Sequence, residues 1–319
     1  MITMAKIDKN AKLVLTGAAG LVGQNLIVEL KAQGYTNLVA IDKHEYNLGI
    51  LSRLHPDVTV IQADLAEEGD WTNAFAGAAC AVQLHAQITG KFRDLFVRNN
   101  IDATRRVLAA TRTHEVPYLV HVSSSVVISA ADDDYTNTKK AQEHLVVESG
   151  IAHCVLRPTL MFGWFDPKHL GWLSRFMSKV PIFPIPGDGR YMRQPLYERD
   201  FCRCIVRCIE SQPPGTVYDV VGDTRIDYVD IIKTIKRAKN LHTMIVHIPY
   251  GLFRFLLRTY AVFSGKPPFT ADQLEALTAG DEFQGVDTER VFGVRQTPFS
   301  EAIRESYCDP RYSSIVLKR

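Results

Sequence analysis

Apolar residues in this chain fall in short runs separated by amphipathic stretches. The run Lys12-Leu-Val-Leu-Thr16 ends in a glycine-rich turn, and residues 21–33 follow with helical periodicity. Further short apolar runs stand at 38–41, closed by Asp42, and at 58–61, 81–84, 118–122 and 154–157. Helical patterns at 70–75, 100–113 and 136–149 lie between most of them. Strands separated by helices predict right-handed βαβ units and a parallel sheet buried on both faces. The expected fold class is therefore α/β, a Rossmann-type doubly wound sheet.

After Pro158 the texture changes. Residues 162–193 hold two tryptophans and several glycines and prolines, and they read as loop-rich rather than as another βαβ repeat. A helix is expected at 198–212, a strand at 216–221, and a mostly helical remainder from Asp227 with a short run at 244–248. This layout predicts a dinucleotide-binding domain over 1–165, rejoined by 196–222. A smaller substrate-binding domain is expected from 166–195 and 223–319.

Composition narrows the function classes. The 319 residues are 46% hydrophobic and 23% charged, values of an ordinary globular protein that exclude a disordered or collagen-like chain. A formal charge of +2 shows no nucleic-acid footprint, so no nucleic-acid partner is expected. Six cysteines in so long a chain are not a disulfide framework. Cys202, Cys204 and Cys208 fall within one expected helix and read as core residues, with no metal expected. Residues 1–10 lack the apolar run of a signal peptide, and nowhere do 18 apolar residues run together. A cytoplasmic location without a membrane partner is expected. The most apolar stretch, 251–263, is interrupted by Arg254 and Arg258 and reads as packing within the C-terminal part.

The turn Thr16-Gly17-Ala-Ala-Gly20-Leu-Val-Gly23 sits between the first strand and the first helix. Gly17 permits the tight turn, Gly20 lets the backbone approach a pyrophosphate, and Gly23 lets helix pack on strand. The N–H groups that open the helix, at Leu21 and Val22, then face the phosphates. Asp42 stands 19 residues beyond Gly23, where an acid bonds the adenosine ribose and repels a 2′-phosphate. NAD is therefore expected over NADP, a preference that Lys43 and His44 would soften. Asp64-Leu65, ending the third strand, is expected beside the adenine.

Ser123-Ser-Ser125 ends the fifth strand, and Tyr135-Thr-Asn-Thr-Lys139 opens the next helix. Spacing of four puts Tyr135 and Lys139 on one helical face. An ammonium beside a phenol lowers the phenol pKa, so that Tyr135 exchanges a proton with a substrate oxygen that a serine also holds. His85 and His121 adjoin strand ends and read as structural. Asp132-Asp-Asp134 reads as a helix cap.

Together these motifs, with the segment Asn100-Ile-Asp-Ala-Thr104, Arg157-Pro158, Gly163, Gly187-Asp-Gly189 and Arg193 to Asp200, resemble the short-chain dehydrogenase/reductase superfamily. The likeness is to its extended branch, the NAD-dependent epimerases and dehydratases, and covers nearly the whole chain. The resemblance implies Tyr135 as the acid/base and Lys139 on the nicotinamide ribose. It implies Ser125 as substrate-oxygen partner, with Ser124 second, and Ala86 along the cofactor. Arg193, with Arg190 nearby, is implied against the diphosphate of a nucleotide sugar, and a homodimer is implied as the assembly. Val126-Val127 stand where the family's dehydratases carry an Asp-Glu pair, which points away from dehydration. Nine residues separate Ser125 from Tyr135, fewer than in typical sugar epimerases. An NAD-dependent epimerase or ketoreductase of a nucleotide sugar is the leading expectation. A dehydrogenase of a steroid-like alcohol and a non-catalytic dinucleotide-binding subunit are its rivals.

Overall fold

The computed structural model describes residues 7–263, 274 and 282–318. Residues 1–6, where a signal peptide was not expected, lie outside them. The N-terminal half runs β1 (Lys12–Thr16), α1 (Leu21–Ala32), β2 (Leu38–Asp42), α2 (Glu45–Leu54), β3 (Thr59–Gln62), β4 (Ala78–Gln83), α3 (Arg93–Phe96), α4 (Ala103–Thr113), β5 (Leu119–Val122), α5 (Asp134–Val147) and β6 (His153–Pro158). The C-terminal half continues with β7 (Met161–Phe162), α6 (His169–Met177), β8 (Ile182–Pro186), β9 (Met192–Arg193), β10 (Leu196–Tyr197), α7 (Glu198–Ser211) and β11 (Thr216–Val220). It closes with β12 (Ile226–Asp227), α8 (Tyr228–Ala238), β13 (Met244–Ile248), α9 (Tyr250–Phe263), α10 (Thr288–Phe292) and α11 (Phe299–Cys308).

Seven strands form one parallel sheet in the order β11-β6-β5-β4-β1-β2-β3. Both faces are covered, as the continuous apolar runs require. On one face α1 and α7 bury Leu26, Ile27, Phe201 and Ile205 against Leu13, Leu15 and Val120. On the other, Trp71, Phe75, Val107 and Val146 close over Val14, Val39 and Leu119. Cys80, Cys154, Cys202, Cys204 and Cys208 all lie in the first of these cores. A separate apolar cluster, with Phe162, Met177, Ile185, Ile232 and Ile303, holds the C-terminal part together. The chain leaves β1 toward β2 on one side and toward β4 on the other, so the carboxyl ends of β1 and β4 form a topological switch point, where ligands bind in such sheets.

Three local expectations change. Residues 70–75 form a 3₁₀ turn rather than an α-helix. The expected helix at 100–113 begins at Ala103, after a π-helical turn at Val97–Asp102 that turns Asn100 into the interior. Helix α2, which the pattern did not announce, carries Asn47 and Gly49, both weak helix formers. It forms because the His44 side chain caps Asn47 N–H and because Leu48, Ile50 and Leu51 are buried. The loop-rich stretch after Pro158 also contains α6, and its proline-bearing segment forms β8, paired in parallel with β13 alone. Pro184 and Pro186 are tolerated on so short an edge. No helix among the described residues is long and apolar enough to cross a membrane.

Candidate active site

The glycine turn closes over the switch point. Gly17 has φ +73°, and a Cβ there would lie 2.5 Å from His85 N at the end of β4. A Cβ at Gly23 would lie 2.4 Å from Ala18 O, so only glycine lets α1 pack against the turn. Gly20 instead meets only Gly17 O, at 3.2 Å, and its outer side is open. Gln24 is the first helical N–H to find a carbonyl, Gly20 O at 3.0 Å. The N–H groups of Leu21, Val22 and Gly23 therefore have no partner among the described residues and face that open side. Unspent donors at a helix start, beside a glycine that leaves room, fit a pyrophosphate.

Asp42 ends β2 half-buried. Its two carboxylate oxygens accept Ala19 N–H at 3.0 Å and His44 N–H at 2.9 Å. Each oxygen keeps a lone pair for a ribose hydroxyl. Lys43 is turned away to Asn99 Oδ1 at 2.6 Å and Asp64 at 3.5 Å, and His44 is spent as the α2 cap. Neither side chain is left to receive a 2′-phosphate. Burial opposes ionisation of Asp64, but the Ala66 N–H, Arg98 at 2.8 Å and Lys43 outweigh it and hold its carboxyl below the usual range. Leu65 is buried beneath, and Ala86 is exposed where β4 opens into its loop.

The three serines are separated by their neighbours. Ser123 donates to Glu143 Oε2 at 2.5 Å, and Glu143 pairs with Arg157. Ser124 Oγ accepts the Val126 N–H at 3.4 Å and stands close enough to Tyr135 to pull its pKa down. Ser125 instead begins a 3₁₀ turn, Ser125–Ile128. Val126 and Val127 follow Ser125 in that turn. Neither is an acid.

Lys139 lies one turn along α5 from Tyr135. Its Nζ, fully enclosed, donates to Val122 O at 3.2 Å and Gln142 Oε1 at 2.5 Å, and does not sit on the phenol. Burial pulls its pKa down to about 7, with Glu143 pulling the other way. Burial raises the Tyr135 pKa, and Asp133 adds to this, against the pull of Ser124. Lys139 therefore does not lower it in this geometry.

Beneath Lys139 lies a polar network that sequence spacing did not reveal. Gln142 Nε2 donates to Thr104 Oγ1 at 2.9 Å and to His85 O at 3.2 Å. His85 bridges Thr16 and Thr104, and burial pushes its pKa down to about 3, with Lys139 and Lys43 adding to the effect. It is a neutral structural group, as is His121, buried with both ring nitrogens unpartnered among the described residues. Asn100 accepts Gln87 N–H at 2.5 Å and donates to Thr138 Oγ1 at 3.0 Å, locking α5 to the π-helical turn. The legible trace was the stripe of buried polar residues along α5, Thr138, Lys139, Gln142 and Glu143. Asp133 caps α5 through Thr136 N–H at 2.8 Å, as expected of the acidic run.

Arg193 lies apart from these groups in the chain fold, on β9, where Ile226 of β12 pairs with it and Tyr228 is nearby. It is engaged within the protein. Asp188 caps the Arg190 N–H, while Asp200 takes Thr297 and Arg203.

Among known proteins, a ketoreductase of a farnesylated dihydroquinoline oxide from Stigmatella aurantiaca is 24% identical over 264 residues, covering 75% of this chain and 77% of its own. A dTDP-glucose 4,6-dehydratase from Actinoplanes is 24% identical over 261 residues, covering 71% and 81%. In solved structures, the UDP-glucuronic acid 4-epimerase from Bacillus cereus, in complex with NAD, superposes with a TM-score of 0.71. It is 19% identical, over 93% of this chain and 97% of that one. The family model described as the NAD dependent epimerase/dehydratase family matches residues 13–221. With the glycine turn, the switch point and Asp42 in place, NAD is the cofactor that the site fits, and the chain belongs to the NAD-dependent epimerase/dehydratase family of enzymes.

Proposed function

We propose that this enzyme interconverts a secondary alcohol and a ketone, with Tyr135 as acid/base and Ser124 holding the reacting oxygen. The observation that carries the reading is the placement of Tyr135 on the first turn of α5, with the end of the serine run near enough that Ser124 acts on its phenol. When bound, NAD supplies the hydride acceptor. Tyr135 Oη takes the hydroxyl proton, and Ser124 Oγ fixes the same oxygen. Lys139, one helical turn along α5 and donating to Val122 O and Gln142, is the residue this reading assigns to the nicotinamide ribose. Replacing Tyr135 by Phe removes one hydroxyl and is expected to slow turnover by roughly 10²–10⁴-fold while leaving NAD binding intact. Normal turnover by that variant refutes the assignment.

The substrate class favoured by the fold neighbours is a nucleotide sugar, handled by epimerisation or ketone reduction rather than dehydration, with Arg193 gripping the diphosphate. A second reading, a lipophilic alcohol, is favoured by Ile88, Phe92 and Ile128, which are 55%, 68% and 56% exposed. Ile88 follows Gln87, which Asn100 ties to Thr138 of α5, and Ile128 ends the turn that starts at Ser125. The Stigmatella relative acts on a farnesylated ketone. Titration of UDP, GDP and dTDP into NAD-saturated protein separates the two. Binding that Arg193→Ala weakens by roughly one to two decades supports the nucleotide sugar. No binding at millimolar concentration moves the assignment to the lipophilic alcohol.

A further inference from the structure

On the outer side of α7, away from the glycine turn and from Ser124, Tyr135 and Lys139, lies an open cavity of about 990 Å³. Its walls come from α7, from α11 and from residues 295–298, which lead into α11. Four arginines line it: Arg199, Arg203, Arg295 and Arg304.

The inner two are committed. Arg199 stacks 4.9 Å over Trp164 and pairs with Glu305 and, at 3.4 Å, with Glu29 of α1. Arg203 pairs with Asp200 at 2.9 Å and reaches Glu29 at 3.7 Å. Thr297 donates its N–H and hydroxyl to Asp200, at 2.7 and 2.9 Å, so the floor is rigid. The outer two are not committed. Arg295 and Arg304 are exposed and have no hydrogen bond or ion pair among the described residues. Of the acids on the wall, Glu305 is matched by Arg199 and Asp309 by Arg311. That leaves two guanidiniums at the mouth against the single carboxylate of Glu301.

A guanidinium binds a phosphate through two parallel charge-assisted hydrogen bonds, and the cavity has the volume of a small-molecule site. We propose that this cavity is a second ligand site, for a small molecule carrying two phosphate groups, each taken by one of Arg295 and Arg304. The site is separate from the reacting centre and does not depend on its assignment. It is joined to the dinucleotide side of the fold through Glu29, because α1 carries Glu29 on one end and the pyrophosphate-facing N–H groups on the other.

The test is calorimetric titration of inorganic pyrophosphate into NADH-saturated protein carrying Arg193→Ala, so that neither the cofactor site nor the substrate arginine contributes. Saturable binding is expected. Adding Arg295→Ala or Arg304→Ala should weaken it roughly tenfold to hundredfold, and Glu301→Gln should tighten it by removing the opposing charge. Both arginines are exposed, so the melting temperature should stay unchanged. Absence of binding at millimolar concentration, or binding that survives loss of both arginines, overturns the proposal.

Discussion

Glu198 opens α7 wholly enclosed, with neither carboxylate oxygen hydrogen-bonded among the described residues. Its Cβ presses so close to Gly163 that a Cβ there would lie 2.6 Å away, and Asp166 is nearby. Burial, with the Asp166 charge adding to it, pushes the Glu198 pKa up to about 8 from an ordinary 4.5. An acid whose folded pKa is raised binds more protons folded than unfolded between those two values. Stability contributed by its neutral form is therefore whole below pH 4.5, falls as pH rises, and is fully lost above about pH 8. At about 1.4 kcal/mol per pH unit the full loss approaches 5 kcal/mol, of which roughly 4 kcal/mol falls between pH 5 and pH 8.5. Glu198→Gln keeps the shape and cannot ionise, so it escapes this loss. With an unfolding entropy of about 2.1 cal/mol/K per residue, 4 kcal/mol corresponds to roughly 6 °C for a chain of this length. Thermal melts of wild type and variant at pH 5 and pH 8.5 should therefore show the variant gaining about that much relative to wild type as pH rises. A gap in melting temperature that is the same at both pH values refutes the reasoning.

Ser124→Ala should lower turnover by an order of magnitude or more, since it removes a hydrogen bond to the reacting oxygen, whereas Ser125→Ala should leave it within a few-fold; steady-state rates with one substrate decide between them, and the reverse order restores Ser125. NAD(H) should bind at least several-fold tighter than NADP(H), and Asp42→Ala should narrow the gap, because it removes both the ribose acceptor and the repulsion of a 2′-phosphate; fluorescence titration of NADH and NADPH measures it, and tighter NADPH binding by wild type overturns the role of Asp42.

The sheet and the nucleotide turn were legible because their causes are local. Each buried parallel strand is a short apolar run whatever its neighbours are. Gly17, Gly20 and Gly23 sit where a strand meets a helix, and Asp42 ends the next run. The four-residue interval between Tyr135 and Lys139 sets a common helical face wherever the helix goes. Helix α2 was not legible, because Asn47 and Gly49 argue against it and only burial of Leu48, Ile50 and Leu51 argues for it. The π-helical turn at Asn100 was hidden for a similar reason, since its stabilising partners are Gln87 and Thr138.

The sequence alone determined the fold class, the dinucleotide turn, NAD as the cofactor, and the helix that carries Tyr135 and Lys139. Tertiary structure decided that Glu143 claims Ser123 and that Ser125 opens a 3₁₀ turn. It decided that Lys139 points at Val122 and Gln142 rather than at the phenol, that Glu198 is sealed without a partner, and that Arg295 and Arg304 meet over one cavity. The physical reason is distance along the chain. Periodicity and backbone preference act over a few residues, whereas desolvation and hydrogen-bond partnership depend on groups that only the folded packing brings together.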